Sequence, residues 1–268
     1  MTKRILGYQL AELKLEDFIT IPSLNVAIAK TKTRTADGKV LTRISWYVTK
    51  LLIQRLGSNY FLPTSAQWNK AREYLQQNYP ELEKDFISGE YEWLDSLLAF
   101  PNADGNYSSR LQISSIKKGR VPLLIEQSKV ERSDNGYVIT DGKVTEVPEL
   151  PLKDGYIQDW DEDLGLPTKV GENSNKKFKG AYFCIDTDYN YHEGLRALVH
   201  GTWVLRGHER RFITLADWFP YDAHCDVGFR LGRTVSADKE FVRMPRAEYE
   251  KLSKLSKELN ELLSRVIF

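Results

Sequence analysis

Behind Ser45, the apolar residues Tyr47, Val48, Leu51, Leu52 and Leu56 recur at helical spacing and stop at Gly57. The spacing predicts a short buried helix capped by Ser45. After the loop Ser58 to Pro63, the run Thr64-Ser65-Ala66-Gln67 has the order of a capping box, in which Thr64 accepts from the third helical N–H and Gln67 reaches back. That helix is expected to reach Tyr79 and close at Pro80. Glu81 to Leu98 is read as a further helical stretch broken at Gly89, with Trp93 and Leu97 turned inward.

Between Phe100 and Gly180 the texture changes to strand and loop: Pro, Gly, Asp, Asn, Ser and Lys become frequent, and apolar residues come in short alternating runs. Asp134-Asn135-Gly136 and Asp141-Gly142 separate runs rich in Val, Ile and Tyr, so Val130 to Val147 is predicted to be a small meander with tight turns. Lys169 to Lys179 reads as a mobile polar surface loop. From Ala181 on the chain is aromatic and β-rich, through Ala181 to Ile185, Leu198 to Leu205 and Val227 to Leu231. Then the period switches. Leu252, Leu255, Leu259, Leu262 and Val266 alternate at spacings of three and four behind Pro245, predicting a C-terminal helix from Ala247 to Val266. Its seam, only about two and a half heptads long, either docks on its own domain or pairs between chains; docking, and hence a monomer, is the expectation.

Composition narrows the classes. The 268 residues carry 38 Lys and Arg against 37 Asp and Glu, a net charge of +1, which supplies no global field to hold a polyanion or an anionic bilayer. No nucleic-acid partner is expected. No run of about 18 apolar residues exists to span a membrane, and the first residues lack the apolar core of a signal peptide. The expected protein is soluble, cytoplasmic or carried on a virion. Aromatic residues make up 12% of the chain, an excess that suits a core short of regular structure or a recognition surface.

The chemistry-bearing residues are sparse. Cys184 and Cys225 could form one bridge at most. His192, His200 and His208 stand eight apart, a gap that suits neither one helix face nor one strand. His224-Cys225-Asp226 offers three potential ligands, yet adjacent residues on a strand point different ways, so no metal is expected there. Asp159-Trp160-Asp161-Glu162-Asp163 spaces carboxylates like a calcium loop, but the glycine comes one residue late at Gly165 and Val170 stands where a bidentate Glu would close the loop. A solvated acidic turn is expected instead, and no cofactor.

Three separated segments, in order, resemble the formylglycine-generating-enzyme branch of the C-type lectin fold. Ile44-Ser45-Trp46-Tyr47 is similar to that family's opening helix, Phe61 to Trp68 (FLPTSAQW) to its R-L-P-T-E-A-E-W, and Gly89 to Trp93 (GEYEW) to its G-N-V-W-E-W. The closing block carries most weight: Arg196 to Trp203 (RALVHGTW) resembles R-V-L-R-G-G-S-W, and Val227 to Leu231 (VGFRL) the terminal V-G-F-R-L. The implied fold class is α+β, a single C-type lectin-like domain over residues 1–243 with a β-rich insert at 100–180 and a closing block at 196–233, followed by the helix in 244–268. Trp46, Trp68, Trp93, Trp203 and Phe229 are expected as core anchors, and Gly201 and Gly228 as points of close backbone approach.

The resemblance implies two functions. A formylglycine-generating oxidase, or a sulfatase-modifying factor like it, holds copper on a cysteine pair in the closing block, whereas Val199 to Trp203 has no cysteine here. The preferred reading is a non-enzymatic variable protein of a diversity-generating retroelement. In that group the stretch between the matched Trp203 and Val227 carries residues diversified by adenine mutagenesis, and Tyr221 to Asp226 holds only residue types reachable that way. The expected ligand-binding surface is therefore Val204, Arg206, His208, Phe212, Thr214, Asp217, Phe219, Tyr221, Asp222, His224 and Asp226, facing solvent together above a scaffold of Trp203, Pro220, Gly228 and Phe229. Arg and aromatic anchors among carboxylates suit a macromolecular ligand, a protein in kind, of unspecified identity.

Overall fold

Ser45 begins the first helix as expected: its hydroxyl accepts from the Val48 N–H, and Gly57 follows the last turn. The capping box at Thr64 is also present, with both Thr64 and Gln67 side chains engaged. The structure, a computed structural model, describes residues 3–87, 91–190, 192–204 and 210–235. The chain divides into a unit Met1–Thr234 and a unit Val235–Phe268, and the helix expected at 247–266 lies outside the described residues.

In chain order, β1 (Lys3–Ile5) and β2 (Tyr8–Leu10) form a hairpin, and β3 (Phe18–Ile21) and β4 (Val26–Ala29) a second. Then come α1 (Trp46–Leu56), β5 (Tyr60–Phe61), α2 (Ser65–Asn78), α3 (Pro80–Ile87) and β6 (Tyr91–Ala99). The middle of the chain supplies β7 (Leu123–Ser133), β8 (Gly136–Glu146), β9 (Gly155–Asp161) and β10 (Leu166–Gly171). The last part supplies β11 (Tyr182–Ile185), β12 (Leu195–Val204), β13 (Arg210–Trp218), β14 (Val227–Phe229) and β15 (Gly232–Thr234). The protein is mixed, with few helices and mostly antiparallel sheets: among the described residues nine strands form one sheet in the order β10-β9-β11-β13-β12-β6-β7-β8 with β14 on β6, and four form another, β3-β4-β15-β5.

Two readings of the sequence are corrected here. Tyr91 to Ala99 is a strand, not the second half of a helix. Trp93 and Leu97 are both fully buried, as a helix would have placed them, because a separation of four keeps two residues on one face in either structure. Val130 to Val147 is not a meander: β7 and β8 make one hairpin turning at Asp134-Asn135, and Asp141-Gly142 lies inside β8 opposite a bulge in β7. Gln127, at φ +50°, makes that bulge, and Ser128 turns its N–H and hydroxyl to Asp95.

β6 organises the core. One of its edges pairs with β12; the other is shared, with β14 along Tyr91 to Trp93 and β7 along Ser96 to Ala99. Between those two partners the ladder is interrupted, and the freed groups fasten the helices: the Asp95 N–H donates to Pro63 O before α2, and Leu94 O accepts from the Trp46 indole of α1. Alternation along β6 sorts the rest. Asp95 turns to α1, where it meets Lys50 at 2.6 Å, both side chains almost wholly buried. Glu92 and Ser96 turn to α2, to the Trp68 indole and the Ser65 N–H. Glu92 also takes both arms of Arg230, at 3.1 and 2.7 Å, whose remaining donors reach the carbonyls of Ala29, Lys30 and Phe86. A buried guanidinium with every donor occupied is the arrangement that a fixed strand end requires.

The region expected to be an insert is thus integral to the sheet. β7 completes the edge of β6, and β9 and β10 extend the far side beyond β11. Gly165, at φ +66° in the turn between β9 and β10, lies against the backbone of Ser65 and Ala66 with no room for a Cβ. Its role is close approach to α2, which removes the reason to align it with a cation loop.

Candidate functional site

β13 leaves the sheet at Trp218, and the chain returns across the face carrying Tyr91 and Trp93 to enter β14. Trp218 rests on both rings, 6.2 Å from Tyr91 and 5.9 Å edge-on to Trp93, and His224 stands edge-on to it at 4.8 Å. Tyr91 fills the space that Gly201 leaves open on β12, so the approach at that glycine is made by a side-chain ring and not by backbone as expected.

The crossing is tied down by its backbone. Tyr47 N–H donates to Pro220 O, Arg43 N–H to His224 O, and Tyr91 N–H to Asp226 O. Phe219 and Asp222 close a turn on themselves, through Asp222 N–H to Phe219 O at 3.0 Å and Phe219 N–H to the Asp222 carboxylate at 3.1 Å. Between these ties Ala223, His224, Cys225 and Asp226 are exposed.

Tyr221 ends a ring stack assembled from three parts of the chain: Tyr137 of β8 lies 5.3 Å from Tyr47 of α1, and Tyr47 lies 6.0 Å from Tyr221. Arg110 covers the Tyr221 ring at 5.6 Å, held by the carbonyls of Asn135 and Tyr137 and by Glu193. Glu193 also accepts from Ser108. Arg196 plays the same part under Phe219, its guanidinium 4.6 Å from that ring while pairing with Asp186 at 2.9 Å. Neither Arg110 nor Tyr137 carried a sequence signal, since one lies in an irregular loop and the other beside a hairpin turn.

Asp217 is exposed, yet enough protein surrounds its carboxyl to strip away hydration, and Asp154 and Asp186 add like charge. These push its pKa up to about 6 against the opposing Arg196. Burial, with Asp217, Cys184 and Asp226 nearby, pushes the Tyr91 phenol up to about 12.

The expected surface is therefore divided. Asp217, Phe219, Tyr221, Asp222, His224 and Asp226 belong to the crossing and its approach. Phe212 and Thr214 do not: Phe212 stacks on Trp68 at 5.5 Å beneath Arg72, and Thr214 is fully buried. Strand alternation explains the correction, because Phe212, Thr214 and Ala216 share the face of β13 turned to α2. Val204 pairs with Arg210 across the hairpin, while Arg206 and His208 lie outside the described residues. Of the scaffold residues, Pro220, Gly228 and Phe229 are buried as expected.

His200 is fully buried on the α2 side. Ser65 donates its hydroxyl proton to Gly165 O, so it accepts from His200 Nε2 at 2.9 Å, which fixes the ring as the neutral Nε2–H tautomer. Burial, reinforced by Arg72, lowers its pKa to about 3. A histidine so held is a core group. The acidic turn is likewise spent locally: Asp161 accepts from the N–H groups of Asp163 and Leu164, and Asp159 from that of Trp160. Both cysteines are free; burial beside Asp154 and Asp217 pushes the Cys184 thiol up to about 12, and Cys225 is exposed.

Among the described residues, one group of metal-type side chains converges, His224, Cys225 and Asp226, their ligand atoms all within 4.8 Å of one another. No helix among those residues is long and apolar enough to cross a membrane. No protein-family model, curated protein or solved structure matches the chain.

Proposed function

We propose that this chain is a binding protein that displays a diversified recognition surface on a C-type lectin scaffold of the formylglycine-generating-enzyme type. One observation carries the reading: between Phe219 and Asp226 the backbone is fixed by hydrogen bonds to α1, to β6 and to itself, while the side chains from Ala223 to Asp226 face solvent. Such a segment can change its side chains without changing its path, which a surface varied by mutagenesis must do. α1 and α2 lying against one central strand within one unit support the scaffold. The ligand is a macromolecule, met by Tyr221, His224 and the carboxylates of Asp222 and Asp226. An oxidase of the formylglycine-generating type is disfavoured, because Val199 to Trp203 offers no cysteine where that family holds its copper pair.

The DNA around the gene tests the proposal. A second copy of the segment encoding Gly201 to Arg230, differing only where the copy has adenines and lying beside a reverse transcriptase, is the expected finding. Sibling genes that vary as often at Pro220, Gly228 and Phe229 as at Tyr221 to Asp226 would overturn it.

A further inference from the structure

His224, Cys225 and Asp226 occupy a turn, not a strand, so the objection that neighbouring side chains diverge does not apply. Their separations are those of ligands. Cys225 Sγ lies 3.9 Å from His224 Nδ1 and 3.3 Å from Asp226 Oδ1, and His224 Nδ1 lies 3.5 Å from Asp226 Oδ2. Bond lengths of about 2.3 Å for Zn–S, about 2.05 Å for Zn–N and about 2.0 Å for Zn–O place tetrahedral ligands about 3.6 Å (S···N), about 3.5 Å (S···O) and about 3.3 Å (N···O) apart. The S···N edge comes within a few tenths of an ångström of that value, the two carboxylate edges run to different oxygens of Asp226, and with one ligand atom taken from each residue all three lie within 4.8 Å of one another, so a turn of the Asp226 carboxylate is what brings a single oxygen onto the tetrahedral face.

We infer that His224 Nδ1, Cys225 Sγ and the Asp226 carboxylate form a site for a divalent borderline cation, Zn2+ in the first instance, with the fourth position open to water or to a ligand group. The donor set selects the metal class: imidazole and thiolate favour zinc and its neighbours over magnesium or calcium. Charge agrees, since a thiolate and a carboxylate neutralise a 2+ ion and the imidazole binds uncharged. On binding, the Sγ–H proton leaves to solvent as the Sγ–metal bond forms, and no oxidation is involved. The backbone of the site and its imidazole are held in advance. Arg43 N–H holds His224 O, Tyr91 N–H holds Asp226 O, and Trp218 packs edge-on against the imidazole. The Asp226 N–H that now donates to Nδ1 at 3.3 Å sits in an exposed turn and can donate to water once the metal takes that lone pair. This site goes beyond the binding reading and stands whether or not the surface is a diversified one.

The test titrates Co2+ into the reduced, full-length protein and reads the thiolate-to-cobalt charge-transfer band, with Zn2+ as competitor. The expected result is one equivalent of cobalt with a tetrahedral spectrum, displaced by zinc. Cys225→Ser should remove the charge-transfer band, His224→Ala should weaken binding at least about tenfold, and Cys184→Ser should change neither. His224 and Cys225 are exposed and Cys184 is half-buried, and circular dichroism of each variant confirms that it is folded before its spectrum is read. Absence of the band in the folded wild-type protein, or a band that survives Cys225→Ser or disappears with Cys184→Ser, would overturn the inference.

Discussion

The closing segment has two halves that look alike as sequence and behave oppositely as structure. Phe212 to Ala216 and Tyr221 to Asp226 both mix aromatic, small and polar residues. The first half belongs to a central strand, where every second side chain enters the packing around Trp68 and His200. The second is a loop whose backbone is fastened and whose side chains from Ala223 to Asp226 face solvent, while Tyr221 and Asp222 help to hold it. In a sheet protein, freedom to vary follows from whose hydrogen bonds hold the chain: a strand is held by its neighbours and commits its side chains to a face, whereas a loop pinned at its carbonyls can leave a run of them, here Ala223 to Asp226, facing solvent.

The contrast can be tested in order of expected effect. Arg230→Ala should cost about 3–5 kcal/mol in urea unfolding, because it strands the Glu92 carboxylate in the core. Phe212→Ala should cost about 2–3 kcal/mol, below the about 3–5 kcal/mol of a fully buried aromatic because the ring is half-buried. If Phe212→Ala proves nearly neutral, the division between the two halves fails. Asp222→Ala should cost about 1 kcal/mol, the worth of its one bond to the Phe219 N–H. Replacing Ala223 by Ser, or Cys225 by Ser, should stay within about 0.5 kcal/mol in metal-free buffer.

The pH dependence sharpens the same comparison, since two of its sources lie in the core. His200 has a folded pKa near 3, well below that of the unfolded chain, so the unfolded state binds more protons and stability falls as pH drops from about 6.5 towards 3. Glu126, facing Ser96, is raised by burial to about 7, so here the folded state binds more protons and stability falls as pH rises from about 4.5 to 7. Between about 4.5 and 6.5 the two oppose each other. Asp217, also raised, to about 6, opposes the histidine as Glu126 does, so Glu126→Gln combined with Asp217→Asn should leave the histidine, with unfolding free energy rising with pH by up to about 1.4 kcal/mol per unit across that window. A flat profile in that variant would show that His200 is not held neutral.

The helices were legible because their starts are written locally: Ser45 and the Thr64–Gln67 box are residues whose side chains do the capping themselves. β6 was misread because its burial on both sides erases the alternation that marks a strand, leaving a spacing of four that a helix shares. β3 and β4 went unread for a similar reason, as FITI and VAIA are short apolar runs without a period. At the site, the crossing from Phe219 to Asp226 was found through its flanking segments, but the assignment of Phe212 and Thr214 to it required knowing which face of β13 meets α2. Arg110 and Tyr137 reach Tyr221 only through the pairing of the sheet and the loop before it, which no local pattern encodes.

The strand at the far end of the closing segment has a consequence for how the molecule is made. β15 lies between β4 and β5, joining Thr234 to Val26 and Arg233 to Tyr60, and β14 pairs its Val227 with Tyr91. Each of these ladders closes a loop that spans more than half the chain, so both sheets lack a member until the last of those residues has left the ribosome. Contacts of such long sequence separation slow folding and leave strand edges open meanwhile. β4 and the first half of β6 are the edges that wait, and a chaperone acting during synthesis would find its binding sites there.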